Sequence, residues 1–203
     1  MTEISDGKLN LLTGENSVLI LVDYQPTMIK SVASGDKALI KKAAVYAAKA
    51  ANILNIPVVL SSINPQNNGD VFHEIREIFP GQEVFARKIK SFDAFEDEKT
   101  FNAVKNFKRK KLVISGLWTS MCFTYTAIHG IVEGYDVYGL MDAAGDSTLD
   151  AHEYGIKRML QSGVIPITLE ALVSEWMHDW DNPKAGDLVK EVYSKYGAMI
   201  GFQ

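Results

Sequence analysis

The chain has 203 residues, of which 47% are hydrophobic and 23% are charged, so it is long enough to form one globular domain with its own core. A formal charge of −4 at pH 7 argues against a nucleic-acid partner or an anionic membrane surface. A single cysteine excludes an internal disulfide and is typical of a reducing compartment, so we expect a cytoplasmic protein without a membrane partner.

The first predicted strand begins after a polar N-terminal arm, residues 1–16. Residues 17–22 form a continuous apolar run, which is typical of a strand buried on both faces. Asp23 follows directly, and Pro26 prevents the strand from continuing. A carboxylate at the end of a buried strand needs a partner or a purpose. Asp23 is therefore either a helix cap or an active-site acid.

Apolar runs and helical patterns alternate along the whole chain, which we interpret as one domain, residues 1–203. Strands are predicted at 17–22, 57–63, 83–86, 112–114, 136–141 and 164–169. Helices are predicted at 37–54, 71–79, 97–108, 122–134, 149–162, 172–180 and 183–196. Solid apolar strands that alternate with helices predict an α/β fold, a three-layer α/β/α sandwich around a six-stranded parallel sheet.

The only cysteine, Cys122, lies where the fourth strand gives way to a helix. The strand breaks at Gly116, and a short polar turn leads to Cys122 in the predicted first turn of the helix. Unpaired N–H groups and the helix dipole favour a thiolate there, so we expect the pKa of this thiol to lie below its ordinary value. A buried structural cysteine is the alternative.

Polar groups follow three of the predicted strands. Asp23 comes after the first strand, the basic cluster Arg87, Lys88 and Lys90 after the third, and Cys122 after the fourth. The carboxyl ends of parallel strands meet at one edge of a sheet, so we expect these groups to lie together. A carboxylate beside a thiol can act as a general base, and a cation stabilises the charged forms. The set predicts nucleophilic catalysis without a histidine.

The four histidines do not complete such a site. His129 lies seven residues beyond Cys122 on the same predicted helix, about 10 Å away, too far to take the thiol proton. The other three lie in predicted helices without a second ligand at metal spacing, and we interpret all four as structural or surface residues.

Several segments resemble the isochorismatase-like cysteine hydrolases. They are LVDYQ at 21–25, a basic residue shortly before DAF at 93–95, SGLWTSMC at 115–122, VEGYDVYGLMDAAG at 132–145 and EWMHDW at 175–180. The last two are most similar to the YcaC-type branch of that superfamily. The resemblance covers about residues 18–180. It implies a Rossmann-like sheet, a Cys–Asp–Lys triad in which arginine sometimes replaces lysine, and cleavage of amide C–N bonds or, in one group, of the isochorismate vinyl ether.

Carried over to this sequence, the resemblance makes Cys122 the nucleophile, Asp23 the base and Lys88 the basic residue. Arg87 is an alternative, because the segment before the DAF tripeptide is one residue longer than in near relatives. Lys90 is a third candidate. The choice between these three cations is left open by the spacing.

The turn before the cysteine carries further residues that the resemblance implies. A cis peptide bond of the family maps to Trp118–Thr119, and the backbone N–H groups of Met121 and Cys122 would bind an oxyanion. Thr119 would either support this turn or cap the helix. The residues expected to contact the substrate are Gln25, Phe92 and Trp118.

The loop after the second predicted strand lacks the Asp-x-His…His metal set of nicotinamidase-type relatives. We therefore expect no metal and no cofactor, and nicotinamide is disfavoured as a substrate. Isochorismate is also disfavoured, because the chain lacks an obvious arginine clamp for a dicarboxylate. The sequence predicts a cysteine hydrolase that cleaves an amide-type C–N bond of a small molecule through a thioester. The alternative is a non-hydrolytic oligomeric binding or assembly protein that keeps the fold without significant turnover.

Large apolar side chains are concentrated in the last thirty residues: Trp176, Trp180, Tyr193, Tyr196, Met199, Ile200 and Phe202. A single edge helix should not expose so many rings. We therefore expect the C-terminal helix and tail, residues 181–203, to pack in the interface of a homo-oligomer.

Overall fold

A computed structural model describes residues 10–87 and 91–197 of the chain. Its six strands form one parallel sheet in the order β3-β2-β1-β4-β5-β6. The strands are β1 (Ser17–Val22), β2 (Val58–Ile63), β3 (Val84–Arg87), β4 (Lys111–Gly116), β5 (Asp136–Leu140) and β6 (Ile165–Ile167). The predicted α/β fold with a six-stranded parallel sheet is confirmed.

Helices flank this sheet. They are α1 (Pro26–Lys30), α2 (Lys37–Ile53), α3 (Pro65–Asn68), α4 (His73–Ile78), α5 (Glu98–Asn106), α6 (Thr124–Val132), α7 (Leu149–Gln161), α8 (Leu169–Met177), α9 (Ala185–Leu188) and α10 (Ser194–Tyr196). Two π-helical turns, Thr119–Phe123 and Val189–Tyr193, precede α6 and α10. Across the described part of the chain, no helix has the length and apolar character needed to cross a bilayer. The cytoplasmic location stays a prediction.

The side chains of β1 explain why both faces of the sheet are covered. Leu19 and Leu21 pack on one face in a core that includes residues of α2 and α8. Val18 and Ile20 pack on the other face with residues of α5, α6 and α7. Because successive side chains of a strand point to opposite faces, a strand that is apolar throughout requires a helical layer on each side.

The strand order reverses direction between β1 and β4, which are neighbours in the centre of the sheet. Chains of this type leave a crevice at the carboxyl ends of the two strands where the order reverses. The predicted polar groups after the first and fourth strands, Asp23 and Cys122, both come from this position. The topology therefore brings them to one edge without help from any long loop.

The C-terminal segment corrects part of the oligomer expectation. Trp176 is only 3% exposed, and its Nε1 donates to Ser17 Oγ at 3.0 Å. Tyr193 is equally buried, with its hydroxyl 2.8 Å from Ser174 Oγ. Both rings complete the core of their own chain, so they do not belong to the exposed apolar surface from which the interface was inferred. Trp180 remains exposed, whereas Met199, Ile200 and Phe202 lie outside the described residues.

Gly116 offers a test of the central strand pair. A Cβ at this position would lie 2.6 Å from Val22 O and 2.7 Å from Val22 Cβ, where β1 and β4 are hydrogen-bonded. Because backbone atoms cannot yield cheaply, Gly116→Ala is expected to lower the free energy of unfolding by about 1–3 kcal/mol. Urea unfolding followed by tryptophan fluorescence measures this change.

Gly186→Ala is the matched control, since nothing lies within 4 Å of the added Cβ in α9. It should leave the free energy of unfolding unchanged or raise it by up to about 1 kcal/mol, the helix propensity of alanine over glycine. Equal stability of Gly116→Ala and Gly186→Ala would contradict the close contact of β1 with β4.

Candidate active site

Asp23 leaves the sheet directly after β1 through an unusual backbone turn. Its φ of 60° lies in the left-handed region, which is uncommon for residues other than glycine. Its N–H donates to Ser61 O at 3.0 Å, so β2 holds the backbone of the turn. The side chain is fully buried. A carboxylate buried in this way requires a charged or hydrogen-bonding partner.

Arg87 supplies that partner. It is the last residue of β3, one residue beyond the predicted end of this strand, and it lies on the same face of the strand as Phe85. Its Nη2 donates to Asp23 Oδ2 at 2.5 Å and its Nη1 to Ser61 Oγ at 2.7 Å. Both charged side chains are 0% exposed. The basic residue beside Asp23 is thus Arg87, whereas Lys88 and Lys90 lie outside the described residues.

Cys122 completes the group from the turn that follows β4. It lies in the π-helical turn Thr119–Phe123 rather than in α6 itself, and it is 1% exposed. Its Sγ is 3.9 Å from Arg87 Nη2, and the thiol lies beside the Asp23 carboxylate. The second carboxylate oxygen, Asp23 Oδ1, has no nitrogen or oxygen donor among the described residues. This oxygen therefore has unused capacity to accept a hydrogen bond inside the buried group.

The pKa of the Cys122 thiol is raised, whereas a position at a helix N-terminus was expected to lower it and favour the thiolate. Burial raises the pKa of the Cys122 thiol, the neighbouring Asp23 carboxylate raises it further, and Arg87 works against both. Burial also raises the pKa of Asp23, while the charge and hydrogen bond of Arg87 lower it. A thiol in an apolar core next to an anion keeps its proton. The resting site accordingly holds a neutral thiol.

In the turn before Cys122, the cis peptide bond differs in position from the one expected, and the contacts of Thr119 show its structural role. The cis peptide bond joins Leu117 and Trp118, one residue earlier than expected from the resemblance. Thr119 supports the turn and does not cap α6: its N–H donates to Gly145 O at 3.0 Å, and its Oγ1 bonds to His152 Nδ1 at 2.8 Å. The N–H of Met121 donates to Trp118 O at 3.2 Å.

Of the three residues expected to contact substrate, Gln25 has another role. Its amide nitrogen donates to Ile63 O at 3.1 Å and Gly69 O at 2.6 Å, and its oxygen accepts from Ile63 N at 2.9 Å. These bonds fix the loop after β2 and use both amide hydrogens, and the expected substrate contact of Gln25 stays a prediction. Trp118 is half-buried with its Nε1 bonded to Met28 O, and Phe92 is exposed on the surface.

Three residues of the site were not singled out by the sequence. Ser61 binds Arg87, and the paired serines that interrupt the apolar run of β2 were the available signal. Asp146 accepts a hydrogen bond from Ser120 N at 2.7 Å, and His152 binds Thr119. These two residues follow β5, and no local pattern connects them with the cysteine. Within the described ranges, no group of three or more His, Cys, Asp or Glu residues could hold a metal ion.

The geometry agrees with a comparison against known families. A family model described as the isochorismatase domain matches residues 17–171, which include all three buried groups. The chain belongs to the isochorismatase family. The matched range begins with β1 and ends within α8, so the whole sheet is the family's domain.

Relatives within the isochorismatase family match most of the chain. The probable hydrolase YcaC of Escherichia coli is 27% identical over 176 residues, which are 86% of this chain and 84% of that protein. The solved structure of E. coli YcaC, described as an octameric hydrolase of unknown specificity, has a TM-score of 0.86 and covers 93% of this chain and 94% of its own. The secreted isochorismatase effector Isc1 of Phytophthora sojae is 25% identical, with 96% and 93% covered.

The directions of the two pKa shifts predict how Asp23→Asn changes the thiol. This substitution removes the carboxylate that raises the pKa of Cys122 and leaves Arg87, which lowers it. We expect Cys122 to react with iodoacetamide about tenfold faster at pH 7, since one pKa unit changes the thiolate fraction tenfold. Mass spectrometry of the alkylated peptide between pH 6 and pH 10 measures the rate.

Asp36→Asn provides the control, because Asp36 is a carboxylate that caps α2 away from the cysteine turn. Its alkylation profile should match that of the unmodified protein. Slower or equal alkylation in Asp23→Asn would mean that Asp23 does not hold the proton on sulfur.

Proposed function

We propose that this protein is a hydrolase that cleaves an amide-type C–N bond of a small molecule through a thioester at Cys122. The observation that carries this proposal is the buried contact of three groups from three strand ends. Arg87 Nη2 lies 2.5 Å from Asp23 Oδ2 and 3.9 Å from Cys122 Sγ, with the thiol beside the carboxylate. A nucleophile, a base and a fixed cation in one place are the parts that acyl transfer needs.

The first half of the reaction forms the thioester. As Cys122 Sγ attacks the carbonyl carbon, its proton moves to Asp23 Oδ1, which has no other N–H or O–H donor among the described residues. The raised pKa of Asp23 suits this role, because a carboxylate with a higher pKa is a stronger base. The carbonyl C=O becomes an oxyanion. When the intermediate collapses, the C–N bond breaks and Asp23 returns the proton to the leaving nitrogen.

The second half releases the acid. Asp23 takes a proton from water, and the resulting hydroxide equivalent adds to the thioester carbonyl. Collapse of this second intermediate breaks the C–S bond and forms the carboxylic acid. The proton on Asp23 then returns to the sulfur of Cys122, so the site regains its neutral thiol. One carboxylate thus serves as base and acid in turn.

Arg87 has the geometry for the third role. Its fork holds Asp23 with one nitrogen and Ser61 with another, which fixes the guanidinium relative to the sulfur. The positive charge stabilises the negative charge on the carboxylate at rest and on the sulfur as its proton leaves during attack. Lys88, which the sequence favoured for this position, remains a candidate to be tested beside it. For the oxyanion, the N–H of Cys122 stays a proposed donor, whereas the N–H of Met121 would first have to leave Trp118 O, to which it donates at 3.2 Å.

Activity would be sought over primary amides and hydroxamates, with Cys122→Ala as the blank. On any substrate found, Asp23→Asn should lower kcat by at least about 10²-fold with little change in KM, since general-base catalysis is worth about 10²–10⁴-fold. Cys122→Ser should be nearly inactive, because a hydroxyl has a far higher pKa. Steady-state kinetics of released amine measures both variants.

Variants of Arg87 and Lys88 test which of these two residues is the basic member of the site. Arg87→Lys should retain more activity than Arg87→Ala, because a lysine keeps the charge but loses the fork. Lys88→Ala should stay close to the unmodified rate. A larger loss in Lys88→Ala than in Arg87→Ala would transfer the role to Lys88, and full activity of Asp23→Asn would refute the triad. An inactive but folded wild-type protein would favour the non-hydrolytic alternative.

We propose that the protein acts as a homo-oligomer, and two observations support this. E. coli YcaC, which shares the fold, is described as octameric. Large apolar side chains are also solvent-exposed in the single chain: Leu39, Phe107, Val132, Leu149, Tyr154, Leu160 and Trp180. Apolar side chains that cluster in one surface patch are usually covered by a partner.

Light scattering at micromolar concentration is expected to give a multiple of the protomer mass. Trp180→Glu should reduce that mass if the C-terminal segment lies in the interface, because a carboxylate is costly to bury. Val132→Glu, on α6, is the comparison: dissociation by Val132→Glu alone would move the interface to that helix. A monomer in both cases and in the parent protein would end the proposal.

A further inference from the structure

The turn that carries Cys122 is held mainly from outside, by the segment that follows β5. Thr119 N–H donates to Gly145 O at 3.0 Å, and Ser120 N–H donates to Asp146 Oδ2 at 2.7 Å. Thr119 Oγ1 bonds to His152 Nδ1 at 2.8 Å. The two residues that open the turn are therefore fixed by three hydrogen bonds to a single stretch of chain.

Asp146 is the rigid part of this anchor. It is fully buried, and among the described residues no basic side chain lies within ion-pair distance of it. Its carboxylate is held instead by N–H groups of Ser120 and Ser147, and its backbone oxygen accepts from Ala33 and Ser34. Burying a carboxylate without a cation is costly. Hydrogen bonds from Ser147 and from Ser120 in the turn before the cysteine offset this cost, so one oxygen of the buried carboxylate is committed to that turn.

His152 is the part of the anchor that can be altered without changing charge. It lies on α7, and burial lowers its pKa while Asp146 and Glu153 oppose that effect, so the neutral form of the ring is favoured. Its Thr119 partner is fully buried. A Cβ on Gly155, one turn further along α7, would lie 2.9 Å from Ser120 Cα, so the helix backbone is pressed against the same turn.

We propose that His152 is a positioning residue for the nucleophile: through Thr119 it fixes the turn that keeps the Cys122 sulfur beside Asp23. This inference rests on the proposed function, in which Cys122 attacks and Asp23 takes its proton. The sulfur must be aligned with a carboxylate on a different strand, and a misplacement of about 1 Å at such a site can cost about 10²-fold in rate. His152 touches neither the sulfur nor the carboxylate, and acts through the turn.

The test compares two substitutions of His152. His152→Leu removes the hydrogen bond to Thr119 while keeping a side chain of similar size. His152→Asn keeps an amide group near the position of Nδ1 and can restore the bond. Two readouts are used: kcat and KM on an amide substrate, and the pH dependence of Cys122 alkylation by iodoacetamide above pH 7, where the lowered pKa of His152 favours its neutral form.

His152→Leu should lower kcat by about tenfold or more with KM within about twofold, because alignment and not binding is lost. Its alkylation midpoint should fall by about one pH unit toward the ordinary thiol value, since the sulfur leaves the carboxylate that raises it. His152→Asn should return both quantities to near those of the parent protein. Thr119→Val should reproduce His152→Leu, and the double variant should add nothing further.

His73→Asn, an exposed histidine on α4, is the control and should behave as the parent protein. Circular dichroism confirms that each variant is folded at the assay temperature. If His152→Leu is not folded, Thr119→Val replaces it in the test. An unchanged alkylation midpoint in folded His152→Leu and Thr119→Val overturns the inference. The inference is also overturned if His152→Asn is as impaired as His152→Leu. The size of the side chain would then matter, and not its hydrogen bond to Thr119. If no amide is hydrolysed, the proposed function fails, while the alkylation profiles still decide the role of His152.

Discussion

The buried ion pair between Asp23 and Arg87 is the interaction on which the rest of the site depends. Removing a carboxylate and a guanidinium from water costs several kcal/mol per ion, and only close geometry with further hydrogen bonds offsets this cost. The further bond comes from Ser61 on the strand between them, so the ends of β1, β2 and β3 are joined by one charge network. The stability of the fold and the position of the Asp23 carboxylate therefore depend on the same contacts.

The same pair sets the chemical state of the sulfur. A helix N-terminus alone would favour the thiolate, but the N–H of Ser120 in this turn donates to Asp146, and the backbone of Trp118 lowers the pKa of the thiol less than burial raises it. What remains beside Cys122 is an apolar core, an anion and a cation, and burial with the anion outweighs the cation. In the proposed reaction, such a thiol is unreactive at rest and becomes nucleophilic only as its proton leaves for Asp23. The proposal therefore implies selectivity for a bound carbonyl over dissolved electrophiles.

Much of the fold could be predicted because parallel strands buried on both faces are continuous apolar runs, as β1 and β4 are. Asp23 and Cys122 could be named because each follows such a strand. The basic residue beside Asp23 could not be named, because β3 is short and half-buried. Its weak sequence pattern did not show which residue is the last of the strand. The amide of Gln25 and the ring of His152 found partners far along the chain, in the loop after β2 and in the cysteine turn. Long-range partners of this kind leave no periodic signal.

The site exists only in the finished sheet. Its contacts join residues 64 and 35 positions apart, and contacts between distant positions form late, after the loops between them have closed. A nascent or partly unfolded chain therefore carries an ordinary wet thiol with no base, open to oxidants and alkylating agents. Folding withdraws that thiol from water and raises its pKa. Chemical damage would thus fall on chains that have not completed the sheet, and the modification state of one cysteine would record how much of a cell's pool of this protein is native.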